Sequence, residues 1–204
     1  LPYNASSVAE FSLDSKIDCI VREPIQNELD QAWALAAKLL EQEGGAISGE
    51  SIANKLSSEP LVVDFEIFNL DENHAEKFFS TIQFERLASH IEEVSKSGGG
   101  GYSAQMGNGL QKIQSGSLRL LKISGYGSIG LTGDDFAKDS GNFYGLCKSS
   151  GATPETAPRG GQYGQGKSVI FDCSLARTAL FSSLVFGEST DALRVFGKAS
   201  LGQH

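Results

Sequence analysis

Gly160-Gly161-Gln162-Tyr163-Gly164-Gln165-Gly166-Lys167-Ser168 is the stretch whose reading decides the fold. Its glycines let the backbone come close to a ligand, and the apolar residues that follow predict a helix over 168–175. A helix N-terminus presents unpaired N–H groups and the positive end of the peptide dipoles, which suits a phosphate. Two spacings coexist in the run. Gly161, Gly166, Lys167 and Ser168 fit a loop wrapped around a phosphate between a buried strand and a helix. The run from Gly161 through Gln162, Tyr163, Gly164 and Gln165 to Gly166 also fits a glycine box placed between a lid and a helix.

The residues just upstream weigh against the first spacing, that of a P-loop NTPase. Residues 149–159 are polar and hold two prolines, Pro154 and Pro158, a poor composition for a central strand. The nearest aliphatic run ending in aspartate, Leu61-Val62-Val63-Asp64, lies far upstream of the glycines rather than after them. The P-loop therefore stands as the weaker alternative.

Further out, apolar residues recur at three- and four-residue spacing over 15–43, predicting a long helix. They include Ile17, Ile20, Val21, Ile25, Leu29, Ala32, Trp33, Ala36, Leu39 and Leu40. Asp14 or Ser15 is the expected N-cap and Gly44-Gly45 the expected stop. Pro24 predicts a kink, or a helix that begins in earnest there. Residues 46–59 read as loop and 61–70 as a strand. Residues 72–96 read as two short helices, 98–101 as a flexible break and 118–123 as a second strand. Residues 128–166 read as a lid with one weak helical patch over 134–147. Residues 178–186 and 192–196 read as strands.

Within the first helix Glu23, Asn27 and Asp30 fall at i, i+4 and i+7, on one stripe beside apolar residues that include Ile20, Leu29 and Trp33. They are expected to border the core. An asparagine carbonyl is a hard oxygen ligand suited to Mg²⁺, and a carboxylate one turn earlier can polarise a water. A solvated polar face is the competing reading of these residues alone.

The pattern Glu23-x3-Asn27-x2-Asp30-x-Ala32 resembles the N-box of the GHKL superfamily, the Bergerat-fold ATPases found in gyrase, heat-shock chaperones, histidine kinases and microrchidia proteins. Gly125-Tyr126-Gly127-Ser128-Ile129-Gly130-Leu131, after a strand, is similar to that superfamily's first glycine box. The run Gly161–Gly166 is similar to its second. Thr178 resembles the threonine placed near the adenine. The order of boxes and elements matches over about residues 15–198.

The resemblance implies an α+β fold: a two-layer α/β sandwich with helices on one face of a mixed, mostly antiparallel sheet. It implies a single domain over 1–204, with an insertion at about 71–116 and a lid at about 128–166. ATP and Mg²⁺ are the implied cofactors. Asn27 is the implied metal ligand and Glu23 the catalytic base. Asn27, Asp30, Gly125, Gly127, Gly130, Leu131, Gly161, Gln162, Tyr163, Gly164, Gln165, Gly166, Lys167 and Thr178 are the implied nucleotide-binding residues. Lys167 either reaches a terminal phosphate or points to solvent from the first turn of its helix. Turnover is expected to be slow and coupled to lid closure and homodimerisation, signalling to a downstream protein partner or C-terminal effector. The family's first glycine box opens on an aspartate, where this chain has Gly125. That departure keeps open a degenerate nucleotide-sensing or interaction module that binds without hydrolysis.

Composition excludes other classes. A net charge of −8 and a pI near 4.9 over 204 residues leave no general surface for duplex nucleic acid, whose phosphates need clustered Lys and Arg. Cys19, Cys147 and Cys173 are too few and too scattered for a disulfide scaffold or a four-ligand zinc site. Reduced thiols set the expectation of a cytoplasmic protein. No apolar run reaches the ~18 residues of a membrane span, and no signal peptide is visible. With no transducer domain recognisable after residue 198, the expectation is a fragment or a stand-alone domain.

Overall fold

The computed structural model describes residues 16–97, 101–134, 141–148, 165–188 and 193–201. The described elements run α1 (Lys16–Gln42), α2 (Gly49–Ser58), β1 (Val62–Leu70), α3 (Glu72–Thr81), α4 (Phe84–Ser97), α5 (Gly101–Gln114), β2 (Leu118–Tyr126), a π-helical turn (Tyr144–Lys148), α6 (Gln165–Asp172), β3 (Thr178–Ser183) and β4 (Arg194–Ala199). The class is α+β. Its strands form two small sheets, β1 with β2 and β3 with β4.

The predicted long helix is present as α1, with Pro24 buried inside it. Gly44 stops it with φ +70°, and the Gly45 N–H returns to the Leu40 carbonyl at 2.8 Å, a glycine C-cap. The expected N-caps, Asp14 and Ser15, lie outside the described residues.

Residues 46–59, expected as loop, contain α2 instead. Ser48 caps it through a reciprocal box with Ser51, the Ser51 N–H donating to Ser48 Oγ at 3.1 Å and the Ser48 N–H to Ser51 Oγ at 2.9 Å. The box satisfies two N–H groups that a helix start leaves bare, and Ile52 then buries one face. Lys55 on α2 reaches Glu43 at 2.8 Å and Glu59 at 3.4 Å. The Glu43 carboxylate, followed by Glu59, holds its ammonium above the usual lysine range.

The chain gathers into two compact units. The first comprises the described residues of Leu1–Val63, Gly125–Val169 and Phe181–Phe196, and there α1 lies against α2. The second comprises those of Asp64–Ser124, Ile170–Leu180 and Gly197–His204. It takes in the 71–116 segment as α3, α4 and α5. Its core is Phe84, Ile91, Met106, Leu110, Ile113 and Ala176. Phe79 stacks on Phe84 with ring centroids 4.6 Å apart, within the favourable range for aromatic pairs. Asp71 caps α3, its carboxylate accepting from the His74 N–H at 3.0 Å. Residue 98–100 of the expected break lie outside the described residues, and Gly101 already belongs to α5.

Candidate functional site

The site is built on α1, whose i, i+4 ridges have different fates. Ile20, Pro24, Ala32 and Ala36 are buried and follow one ridge. The fifth member of that ridge is Glu28. Next to it runs the ridge of Glu23, Asn27 and Gln31. A third ridge, Ile17, Val21, Ile25, Leu29 and Trp33, is exposed. Leu29 and Trp33, expected on the core side, are 38% and 39% exposed. They stand one residue, about 100° of helix turn, beyond the ridge that the rest of the unit covers.

Glu23 is half-buried and meets Arg22 Nη2 at 3.3 Å. Asn27 is exposed one turn on. Asp30 is exposed and accepts from Gln26 Nε2 at 3.1 Å. Glu23 and Asn27 thus keep the side-by-side placement that their spacing predicts.

Against this helix lies the turn that ends β2. Gly125 packs on Glu28 so closely that a Cβ at residue 125 would overlap the Glu28 carboxyl group. Two residues on, Gly127 takes φ +84° and Gly130 takes φ +81°, the left-handed region that favours glycine. The Ile129 N–H donates to the Gln31 carbonyl at 3.3 Å, and the Phe186 N–H to the Ile129 carbonyl at 3.0 Å. Leu131 N–H donates to Ser183 Oγ at 2.8 Å. Asn142 Nδ2 bridges Gly130, whose carbonyl is 3.1 Å away, and the Gln31 side-chain oxygen. Arg194 clamps the far end through the Leu131 and Gly133 carbonyls. Each backbone bond here fixes the turn against α1 or a strand end, as buried backbone groups require.

Beside Gly127 opens an apolar slot of about 120 Å³, lined by Ala32, Leu35, Ala36, Leu39, Leu56 and Gly127 among others. Lys55 and Glu59 stand at it as well. A larger groove of about 620 Å³ lies on α5 in the second unit, lined by Gln105, Asn108, Gln111, Lys112 and neighbours. Among the described residues Lys112 is its one charged group, and no acid–base pair lines it.

The remaining predicted residues fare unequally. Gly161, Gln162, Tyr163 and Gly164 lie outside the described residues. Gln165, Gly166 and Lys167 form the first turn of α6, three residues before the predicted start at 168. Thr178 opens β3 in the second unit, as its strand reading predicts. Its hydroxyl donates to the Ala176 carbonyl at 2.8 Å, and its N–H to Ser174 Oγ at 3.1 Å. In the 128–166 segment the helical patch reduces, among the described residues, to 142–148, where Phe143 and Cys147 are buried.

Sequence reasoning missed Glu28, Gln31 and Asn142. Glu28 was the findable one, since it is the lone charged member of the series 20, 24, 28, 32, 36. Its Oε2 is sealed from solvent and meets no hydrogen-bond partner among the described residues. No group of three or more His, Cys, Asp or Glu is arranged to hold a metal among the described residues.

Fold and site together define an α+β protein whose carboxylate-bearing helix lies against a glycine turn. Compared with family models, curated proteins and solved structures, the chain matches none. Among the described residues no helix is long and apolar enough to cross a membrane.

Proposed function

We propose that the chain is an ATP-binding domain of the GHKL type, a Bergerat sandwich that binds ATP with Mg²⁺ and hydrolyses it slowly. One observation carries this reading. The helix with Glu23, Asn27 and Asp30 and the turn with Gly125, Gly127 and Gly130, far apart in the chain, meet through Gly125 on Glu28 and Ile129 on Gln31. That contact supports reading the two sequence boxes as parts of one site.

In this reading the Asn27 amide oxygen ligates Mg²⁺, which when bound offsets charge on the phosphates. Glu23, one turn earlier, orients the attacking water and takes its proton. The N–H groups of Gly161–Gly166 and the first turn of α6, with Lys167, receive the terminal phosphates. The 128–166 segment closes as a lid, a second copy docks, and a downstream partner in the cytoplasm reads the closed state.

Gly125 favours a second reading, a nucleotide-sensing module that binds without hydrolysis, because the family's aspartate is missing there. Thermal unfolding with ATP, ADP and GTP, with and without Mg²⁺, tests both. A nucleotide that binds the folded state raises the melting temperature by mass action. A rise that survives Glu23→Ala while phosphate release is lost supports the ATPase. A rise with no phosphate release from the parent chain selects the module. No rise at millimolar nucleotide refutes both.

A further inference from the structure

We propose that the exposed ridge of α1 is a pairing surface for a second copy of this chain, docked antiparallel about a two-fold axis near Gln26. Ile17 is 71% exposed, and Val21, Ile25, Leu29 and Trp33 are each 38–40% exposed. A single exposed apolar side chain is ordinary. These follow one another in one i, i+4 row, a continuous strip about 24 Å long at 1.5 Å per residue, and contiguous apolar strips mark docking surfaces. Rows of this spacing are also the ridges that interlock when two helices cross at roughly −50°.

Charge selects the occupant and its direction. The row on the solvent side of the ridge carries Asp18, Arg22, Gln26 and Asp30, and Arg22 and Asp30 are both exposed. A parallel second copy would set Arg22 on the partner's Arg22 and Asp30 on the partner's Asp30, like charges together. An antiparallel copy centred on Gln26 sets Arg22 opposite the partner's Asp30 and, by symmetry, Asp30 opposite the partner's Arg22. The same centring seats Ile25 between the partner's Ile25 and the partner's Leu29. Packing and charge thus agree on one register. The apolar ridge and the Glu23 and Asn27 side chains flank the buried ridge on opposite sides, since Glu23 and Ile25 stand about 100° to either side of Pro24. Pairing therefore leaves Glu23 and Asn27 open and needs no nucleotide, unlike the docking that follows lid closure. Asp30 borders both surfaces, so the pairing is measured with no nucleotide present.

Sedimentation velocity tests it on the unaltered chain. Between about 1 and about 100 µM a monomer should give way to a dimer, with a Kd of roughly 1–50 µM. Ile25→Asp, at an exposed position, should leave a monomer that unfolds as cooperatively as the parent, because pairing would press two carboxylates together without partners. Arg22→Glu and Asp30→Lys should each loosen the dimer about 5- to 30-fold by setting like charges opposite one another. The two variants mixed should pair with parent affinity, and so should the chain carrying both substitutions, since each restores opposite charges. A chain that stays monomeric at about 100 µM, or that dimerises only once ATP and Mg²⁺ are added, overturns the proposal. So does a dimer that survives Ile25→Asp, or a pair of charge variants that fail to restore each other.

Discussion

Replacing Gly130 by alanine should loosen the turn beneath the site by an amount the geometry sets. Gly130 sits at φ +81°, where an L-residue pays roughly 1–2 kcal/mol. Its new Cβ would stand 2.6 Å from the Leu184 carbonyl oxygen and 2.9 Å from Ser183 Oγ. The hydroxyl can rotate away, but the carbonyl belongs to backbone. The turn must therefore shift, straining the bond from Asn142 Nδ2 to the Gly130 carbonyl at 3.1 Å and that from Leu131 N–H to Ser183 Oγ at 2.8 Å. Each is worth about 0.5–1.5 kcal/mol net. The expected destabilisation is about 2–4 kcal/mol, combining backbone strain with weakened bonds. Trp33, the chain's single tryptophan, lies on α1 in the same unit, so its fluorescence in urea reports the unfolding of that unit. Gly49→Ala is the control, because a Cβ there meets open space at an ordinary φ. A Gly130→Ala midpoint within error of the control, at unchanged slope, would refute the reasoning.

Four other outcomes are expected. Gly49→Ala itself should stabilise α2 by about 0.4–1 kcal/mol through the unfolded state, read as a higher urea midpoint. Ile91→Ala, at a position with no exposure in the second core, should cost about 2–5 kcal/mol in chemical denaturation. Hydrogen bonds from the His74 N–H and then its ring hold the Asp71 carboxyl below the usual aspartate range. Because the folded-state pKa is depressed, the capping contribution is complete above the unfolded pKa and fades as pH falls through the folded one. The melting-temperature gap between the parent chain and Asp71→Ala should therefore hold from neutral pH to about pH 5 and close toward pH 2. Glu23→Ala should abolish Mg²⁺-dependent phosphate release from ATP while the ATP-induced rise in melting temperature persists; release at the parent rate removes Glu23 from the chemistry.

Some of this was legible in the sequence. The long helix announced itself because three- and four-residue apolar spacing persists over seven turns and Gly44-Gly45 ends it. Glu23 and Asn27 were visible for the same reason, since a helical spacing alone puts them side by side. The second helix was hidden because its residues are small and polar. What makes it a helix is the reciprocal bonding of Ser48 and Ser51, a local geometry that composition does not express. The strands were found but not their grouping, because pairing partners are chosen by contacts far apart in sequence. Glu28 could have been picked out as the charged member of an apolar ridge, but the close approach of Gly125 to its carboxyl group comes from another element, of which a spacing rule within one helix carries no trace. The glycine run at 160–168 was read for its phosphate chemistry, and of it only the α6 turn from Gln165 falls among the described residues.

Pro24 gives α1 a further property. A proline offers no N–H to the carbonyl four residues back, so the ladder of α1 lacks the rung that would reach Ile20. Burial of the proline ring keeps the helix continuous across the missing rung. In terms of hydrogen exchange, α1 is then two segments of unequal protection. Amides ahead of the proline are expected to open by local fraying and those beyond it only with the unit that α2 and the glycine turn hold together, a difference that amide exchange along α1 would read. Glu23 is the last residue of the looser segment, and Asn27 and Glu28 belong to the tighter one. The seam falls between the carboxylate of Glu23 and the side chains of Asn27 and Glu28 one turn on.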